Sequence, residues 1–239
     1  MRLGEATWTD VEHARGHTAD GTLRPVVLIP TGSIEQHGPH LPLNTDTLIA
    51  QELAARALSR TDGLALGPTI AIGASGEHAG FAGTLSIGTP ALTTVAVELC
   101  RSADWAAGVV FVNAHGGNHE ALHNAIDLVT DEGRRATVWS PRWPQRADGG
   151  PPDLHAGRIE TSLMLAIDPG LVRLEHAAAG AATTIDELRE RGVAAVSPSG
   201  VLGDPTGASG GEGDEFIAAF VDDLLLHVER WRPVTLNPE

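Results

Sequence analysis

The chain has 239 residues and 24.9 kDa, the size of one domain, and the expectation is a single domain over 1–239. Apolar residues make up 42% and charged residues 20%, a globular and not a disordered balance. Sixteen Lys and Arg against 31 Asp and Glu leave a net charge of −15, which argues against nucleic acid or an anionic membrane as partner, since both are held through Lys and Arg.

In chain order, Thr9-Asp10-Val11-Glu12 reads as a capping box opening a short helix. Pro25–Pro30 is an apolar, β-branched run, the pattern of a strand buried on both faces of a parallel sheet. Thr31–Asp46 reads as a Gly/Pro-rich loop, Thr47–Ser59 as a helix and Leu64–Ile72 as a second strand, followed by a glycine-rich loop to Gly88. Pro90 suits a first helical position, with a helix over Ala91–Ser102. Gly108–Asn113 is the clearest buried strand; a Gly-Gly turn and a helix from Asn118 to Glu132 follow. Thr137–Ser140 is a short strand, Pro141–Ala156 a flexible loop, and Gly157–Ile167 a helix stopped by Asp168-Pro169. Helices are expected over Ile185–Arg191 and Glu215–Trp231, with a loop over Ser197–Gly213 between them. Strands alternating with helices predict an α/β fold with a mainly parallel central sheet flanked by helices. Ligands of such sheets sit at the carboxyl ends of the strands, which selects the loops after Pro30, Ile72, Asn113 and Ser140.

No apolar run approaches the roughly 20 residues of a membrane span, and the first twelve residues lack the apolar core of a secretory signal, so the expected location is the cytoplasm. A single cysteine, Cys100, excludes an internal disulfide and fits a reducing compartment. Eleven histidines in a chain with no tyrosine and two methionines raise the question of metal chemistry, which position has to answer.

Four clusters fall in the selected loops. Glu35, His37 and Asp46 lie in GSIEQHGPHLPLNTD (Gly32–Asp46) and combine carboxylate and imidazole donors, a set suited to Zn, Mn or Fe(II). The bland alternative is a turn-rich surface loop. Asn113–Asn118 (NAHGGN) places His115 between a buried strand and a helix, with Gly116 and Gly117 N–H groups able to stabilise an oxyanion. His155–Ser162 (HAGRIETS) places Glu160 about one turn into a helix, as a candidate ligand, with His155 as a proton shuttle. Glu77 and His78, in the loop from Gly73, are candidate substrate contacts, with Arg142 a further one. His119-Glu120-Ala121-Leu122-His123 also spells the zincin signature, a competing protease reading in which His119 and His123 share a helix face. Its helix would follow a parallel strand and a Gly-Gly turn, so these two histidines are expected to be exposed or to stand behind the metal ligands. His13, His17, His176 and His227 read as surface residues.

The first three clusters together resemble the creatininase family of metal-dependent amidohydrolases. GASGEHAGFAGTLSIGT (Gly73–Thr89) and GVAAVSPSGVLGDPT (Gly192–Thr206) extend the likeness over nearly the whole chain and resemble the family's branch that acts in mycofactocin maturation. The resemblance implies a layered α/β fold, a homo-oligomer (a hexamer or similar ring) and two divalent ions per subunit, Zn, Fe(II) or Mn. It implies Glu35, His37, Asp46 and His115 as metal ligands, with Asp46 bridging. The family's glutamate two residues after the histidine is replaced here by Gly117, and Glu160 is the natural substitute. The residues themselves suggest the catalytic groups: His155, as acid to the leaving amine, and the Gly116 and Gly117 amides, for the oxyanion. The implied substrate is a radical-modified ribosomal precursor peptide, hydrolysed to release its C-terminal Val-Tyr-derived dipeptide core. A creatininase-like hydrolase of a small cyclic amide and a non-catalytic metal-binding scaffold are the alternatives.

Overall fold

The computed structural model describes residues 1–16, 24–143 and 153–232. His17 and residues 144–152 of the expected loop lie outside these. Four strands form one all-parallel sheet in the order β2-β1-β3-β4: β1 Val26–Thr31, β2 Leu64–Leu66, β3 Gly108–Asn113 and β4 Ala136–Trp139. The register aligns Val26 with Leu64 and with Gly108. The helices are α1 Trp8–Gly16, α2 Thr45–Arg60, α3 Gly88–Ser102, α4 His119–Asp131, α5 Arg158–Ile167, α6 Ile185–Arg191, α7 Val193–Val196 and α8 Gly210–Trp231.

β1 and β3 are buried along their whole length because helices cover both faces of the sheet. Side chains alternate between two cores. Val26, Leu28, Val110 and Val112 pack against Leu53 of α2, Leu163 of α5 and Leu224 of α8. Val27, Ile29, Val109 and Phe111 pack against Val97 and Cys100 of α3 and Leu122 and Val129 of α4. Phe111, Leu28 and Leu122 are fully buried, and each contributes about 2 kcal/mol by burial. Cys100 is one of these core side chains, and burial pushes its thiol up to about 12.

Several boundaries differ from the sequence expectation. The expected strand over Leu64–Ile72 stops at Leu66; Gly67 N–H still donates to Leu28 O, and the next bond to β1 runs from Ile70 N–H to Pro30 O. Pro30 lacks the N–H that would come next in this ladder, on the side facing β2, which is where the regular pairing ends. The α1 capping box is Thr7 with Asp10 and not Thr9 with Glu12: Thr7 N–H donates to Asp10 Oδ2 (2.7 Å) and Asp10 N–H to Thr7 Oγ1 (3.3 Å). α2 begins at Thr45, so Asp46 stands on a helical first turn and not in a loop. α3 begins at Gly88, which puts Pro90 third. α8 begins at Gly210, capped by Ser209, whose side chain accepts from Glu212 N–H.

Candidate metal centre

The loops that leave β1, β2 and β3 are laced together by two asparagines. Asn118 Oδ1 accepts from Ala74 N–H (2.8 Å), and its Nδ2 donates to Gly32 O (3.0 Å) and Asn113 Oδ1 (3.1 Å). Asn113 Nδ2 donates to His115 O (2.9 Å). After Gly32 the chain carries Glu35 and His37 inward and folds back, with Glu35 N–H donating to Leu43 O and a bridge between His37 and Leu41. α2 then presents Asp46. From the opposite side, the turn into α5 presents Glu160, whose Oε2 accepts from Ala156 N–H (2.5 Å). Ala156 sits at φ +52, a left-handed conformation costly for any residue with a Cβ, and it separates His155 from α5.

Glu35, His37, Asp46, His115, Glu160, His78 and His155 are all buried and converge on one point. Three overlapping trios have their donor atoms within 4.8 Å of one another: Glu35 with Asp46 and His115, His37 with His155 and Glu160, and Glu35 with His78 and His155. Asp46 Oδ1 lies 3.0 Å from His37 Nε2, and Oδ2 lies 3.3 Å from His115 Nδ1. His115 Nε2 is 3.1 Å from Glu35 Oε2, and His37 Nε2 is 4.0 Å from Glu160 Oε2. Neither oxygen of the fully buried Glu35 receives a hydrogen bond. A buried carboxylate in that state is costly unless a cation completes it. The mixed carboxylate and imidazole donors fit divalent Zn, Mn or Fe(II).

The electrostatics carry the same strain. Burial pushes Glu35 up to about 7, against the pull of His115. Burial likewise lifts Glu160 to about 8, with His37 opposing and Asp46 adding to the rise. Burial works against a charged His37, but Asp46, with Glu160 and Glu35, overrides it and lifts the ring to about 10. Asp46 is held well below the carboxylate range because His37 and His115 outweigh its burial. Burial, then the nearby His37 and His78, hold His155 neutral, and burial and His115 bring His78 down to about 3.

The family profile for creatininase (creatinine amidohydrolase) matches residues 4–228. The chain belongs to the creatininase family. A mycofactocin precursor peptide peptidase of Mycobacterium tuberculosis (strain CDC 1551 / Oshkosh) is 48% identical over 223 residues, covering 87% of this chain and 86% of the relative. A zinc-zinc form of a creatininase variant superposes with a TM-score of 0.81 at 26% identity, covering 97% of this chain and 98% of that one. A manganese creatininase superposes with a TM-score of 0.79 at 26% identity, covering 97% and 99%.

Within this creatininase fold, the five residues named as ligands from the sequence come together, although Glu35 and Glu160 lie far apart in the chain. Gly117 has no room for a side chain: a Cβ there would overlap Glu77 Oε1, Ala74 O and His115 Nε2. Glu77, half-buried, borders the same space, with Oε1 3.5 Å from His115 Nε2. His78, the other expected substrate contact, borders that space too. It is buried against Glu35, with Nε2 3.2 Å from Oε1. His155 is not on a flexible loop; it is buried and bridge-paired with Leu202. His119 and Glu120 are exposed at the rim of the site, His123 is exposed beyond them, and none of the three belongs to a donor trio among the described residues.

A cleft of about 1020 Å³ opens onto His115, His78 and His155 and is walled by Trp143, Leu188, Arg191 and Val193. Arg142, a candidate substrate contact, is exposed and does not line it. Arg191 does, on a helix whose chemistry the sequence did not advertise. Gln36 is the other residue that sequence reasoning missed; it stands between Glu35 and His37 and bonds to both His78 and His155. Among the described residues, no helix is long and apolar enough to cross a membrane.

Proposed function

We propose that the chain is a metal-dependent peptidase that hydrolyses one amide bond of a radical-modified mycofactocin precursor peptide, releasing the C-terminal Val-Tyr-derived dipeptide core. The observation that carries the hydrolase reading is the fully buried Glu35 carboxylate, with no hydrogen bond to either oxygen, among converging buried carboxylates and histidines. The 48% identity to a mycofactocin precursor peptide peptidase over most of both chains supports the substrate. A cleft of about 1020 Å³, wide enough for a peptide end, supports it too.

Glu35, Asp46 and His115 would hold one divalent ion, and His37, Asp46 and Glu160 a second, with Asp46 common to both. The ion pair, Zn, Fe(II) or Mn, supplies Lewis acidity and an activated water at neutral pH. Three carboxylates nearly cancel the charge of two such ions. Gly116 and Gly117, on the turn beside His115, offer N–H groups to the oxygen of the attacked carbonyl. His155, neutral at rest, takes up a proton during attack and returns it to the departing amine. A cytoplasmic homo-oligomer, a hexamer or similar ring, belongs to the same reading, as does a single catalytic domain over 1–239.

The deciding experiment incubates the metal-loaded protein with the modified precursor peptide and, separately, with creatinine, each with and without chelator. Mass spectrometry is expected to show the dipeptide-derived fragment, lost on chelation. Hydrolysis of creatinine with the peptide left intact would replace this reading by the cyclic-amide one. Inertness towards both would leave a metal-binding scaffold.

A further inference from the structure

Gln36 belongs to none of the donor trios, yet it is buried and its side chain is fully engaged. The orientation of its amide is fixed, because Gly38 N–H donates to Oε1 (2.9 Å), which makes Nε2 the donor end. That NH2 group has two protons. Around it lie His78 Nδ1 at 2.9 Å, His155 Nε2 at 3.0 Å and Gly200 O at 3.2 Å. His155 Nε2 also lies 2.7 Å from the backbone carbonyl of Gln36, which can only accept. His155 Nε2 therefore carries a proton and donates it to that carbonyl. The two amide protons go to His78 Nδ1 and Gly200 O, and every proton then has one acceptor.

We infer that Gln36 is a positioning residue that places the ring protons of His78 and His155, an inference that rests on the hydrolase reading and deepens it. Its amide keeps His78 Nδ1 bare, so the His78 proton sits on Nε2 and faces Glu35 Oε1 at 3.2 Å. Its carbonyl keeps the His155 proton on Nε2, so bare Nδ1 turns towards the donor cluster, 3.7 Å from Glu35 Oε1. The two rings are 4.5 Å apart and do opposite work. His78 turns its proton, not a lone pair, towards the Glu35 side of the cluster, without a hydrogen bond of ordinary geometry to it. His155 offers the lone pair that proton transfer requires. The glycine-rich segment before α8 has a matching task. Gly200 sits at φ +80, and a Cβ on it would overlap Gln36 Oε1, so glycine at this position is what seats the amide.

The test uses Gln36→Glu, which keeps the size and the acceptor for Gly38 N–H but has no NH2 to donate. Solid-state 15N spectra of histidine-labelled, zinc-loaded full-length protein, assigned with His78→Gln and His155→Gln, read the ring protons directly. Wild type is expected to show both rings protonated on Nε2. Gln36→Glu is expected to move the His78 proton to Nδ1 and leave that of His155 in place. Zinc content should hold, while kcat on the modified peptide falls roughly 10-fold or more with KM within about twofold, the scale of losing a group that orients a site residue. Gly200→Ala, which displaces the amide without changing its chemistry, should give His78 as a mixture of the two forms. A wild-type His78 protonated on Nδ1, or a His78 spectrum unmoved in both variants, overturns the role of Gln36. The expected spectra from a chain that cleaves no peptide would instead uphold that role and sink the hydrolase reading.

Discussion

Asp46 Oδ1 lies 3.0 Å from His37 Nε2, while the other oxygen of the same carboxylate turns away towards His115. A carboxylate so placed faces two separate donor groups at once, which is what a shared ligand must do. Asp46→Asn keeps the volume and removes the charge. It is expected to lower metal content for both ions together and to cut activity at least ~100-fold, since even groups that only orient ligands are worth 10–100-fold. Elemental analysis after gel filtration, beside peptide cleavage, reads both. Retention of both ions with full cleavage would refute the shared role.

Ser33 shows how that carboxylate is aimed. Its fully buried hydroxyl donates to Asp46 Oδ2 at 2.5 Å, and Thr47 Oγ1 in turn donates to Ser33 O at 2.9 Å. Ser33→Ala leaves every ligand in place but frees Asp46 to rotate. Metal affinity, measured by competition with a chromogenic chelator, is expected to fall about 10–100-fold with the fold intact by circular dichroism. An unchanged affinity would show that the first turn of α2 alone orients Asp46.

His155 gives a kinetic prediction. As the group that carries a proton to the leaving amine, it should cost about 10²- to 10⁴-fold in kcat when replaced by Ala, with a smaller change in KM. A substrate whose leaving amine has a lower pKa should recover part of the loss, because it departs with less help. If His155→Ala leaves kcat unchanged across the pH range, another group delivers the proton.

The sequence carried the sheet and the five donors but not the geometry between them, and the reasons are physical. β1 and β3 are legible because a strand covered on both faces is apolar throughout. β2 misled because the N–H that Pro30 of β1 lacks ends the pairing inside a run that still looks apolar. The start of α2 gave no sign, since Asn44 makes no side-chain capping bond. The start of α8 did give one: Ser209 and Glu212 have S-x-x-E spacing, hidden among glycines at 210, 211 and 213. Gln36 went unread because its bonds reach residues 42 and 119 positions away, and no local pattern reports on such a contact.

The helical H-E-x-x-H of α4 allows a clean separation of two chemistries. His119 and His123 have ring centroids 5.8 Å apart on an exposed face, and His123 Nδ1 is occupied by His119 O at 2.7 Å. Replacing both by Ala is expected to change kcat less than about threefold and stability by no more than ~0.5 kcal/mol, as for other surface sites. Metal content should be unchanged. Abolished cleavage with loss of metal from the double variant would favour the zincin reading over the buried centre.

The raised groups of the centre also set how the metal-free chain responds to pH. Glu35 at about 7, Glu160 at about 8 and His37 at about 10 all hold protons more tightly folded than unfolded, and His115 is raised as well. Between about pH 6.5 and 9 the folded chain therefore binds more protons than the unfolded one, and stability falls as pH rises. The lowered histidines, His78, His155, His40, His119 and His227, oppose this only near pH 6.5, where they are still partly charged in the unfolded chain, and are neutral in both states above about pH 7.5, while Asp46 is charged in both throughout. Metal reverses the sign, because ligands must shed those protons to bind and affinity grows with pH. Thermal melts with chelator are expected to show Tm dropping from pH 6.5 to 9, and melts with excess zinc to show the gap between loaded and metal-free protein widening over the same interval. A chelated chain that melts higher at pH 9 than at 6.5 would mean that the buried carboxylates and His37 do not hold their protons as the packing around them requires.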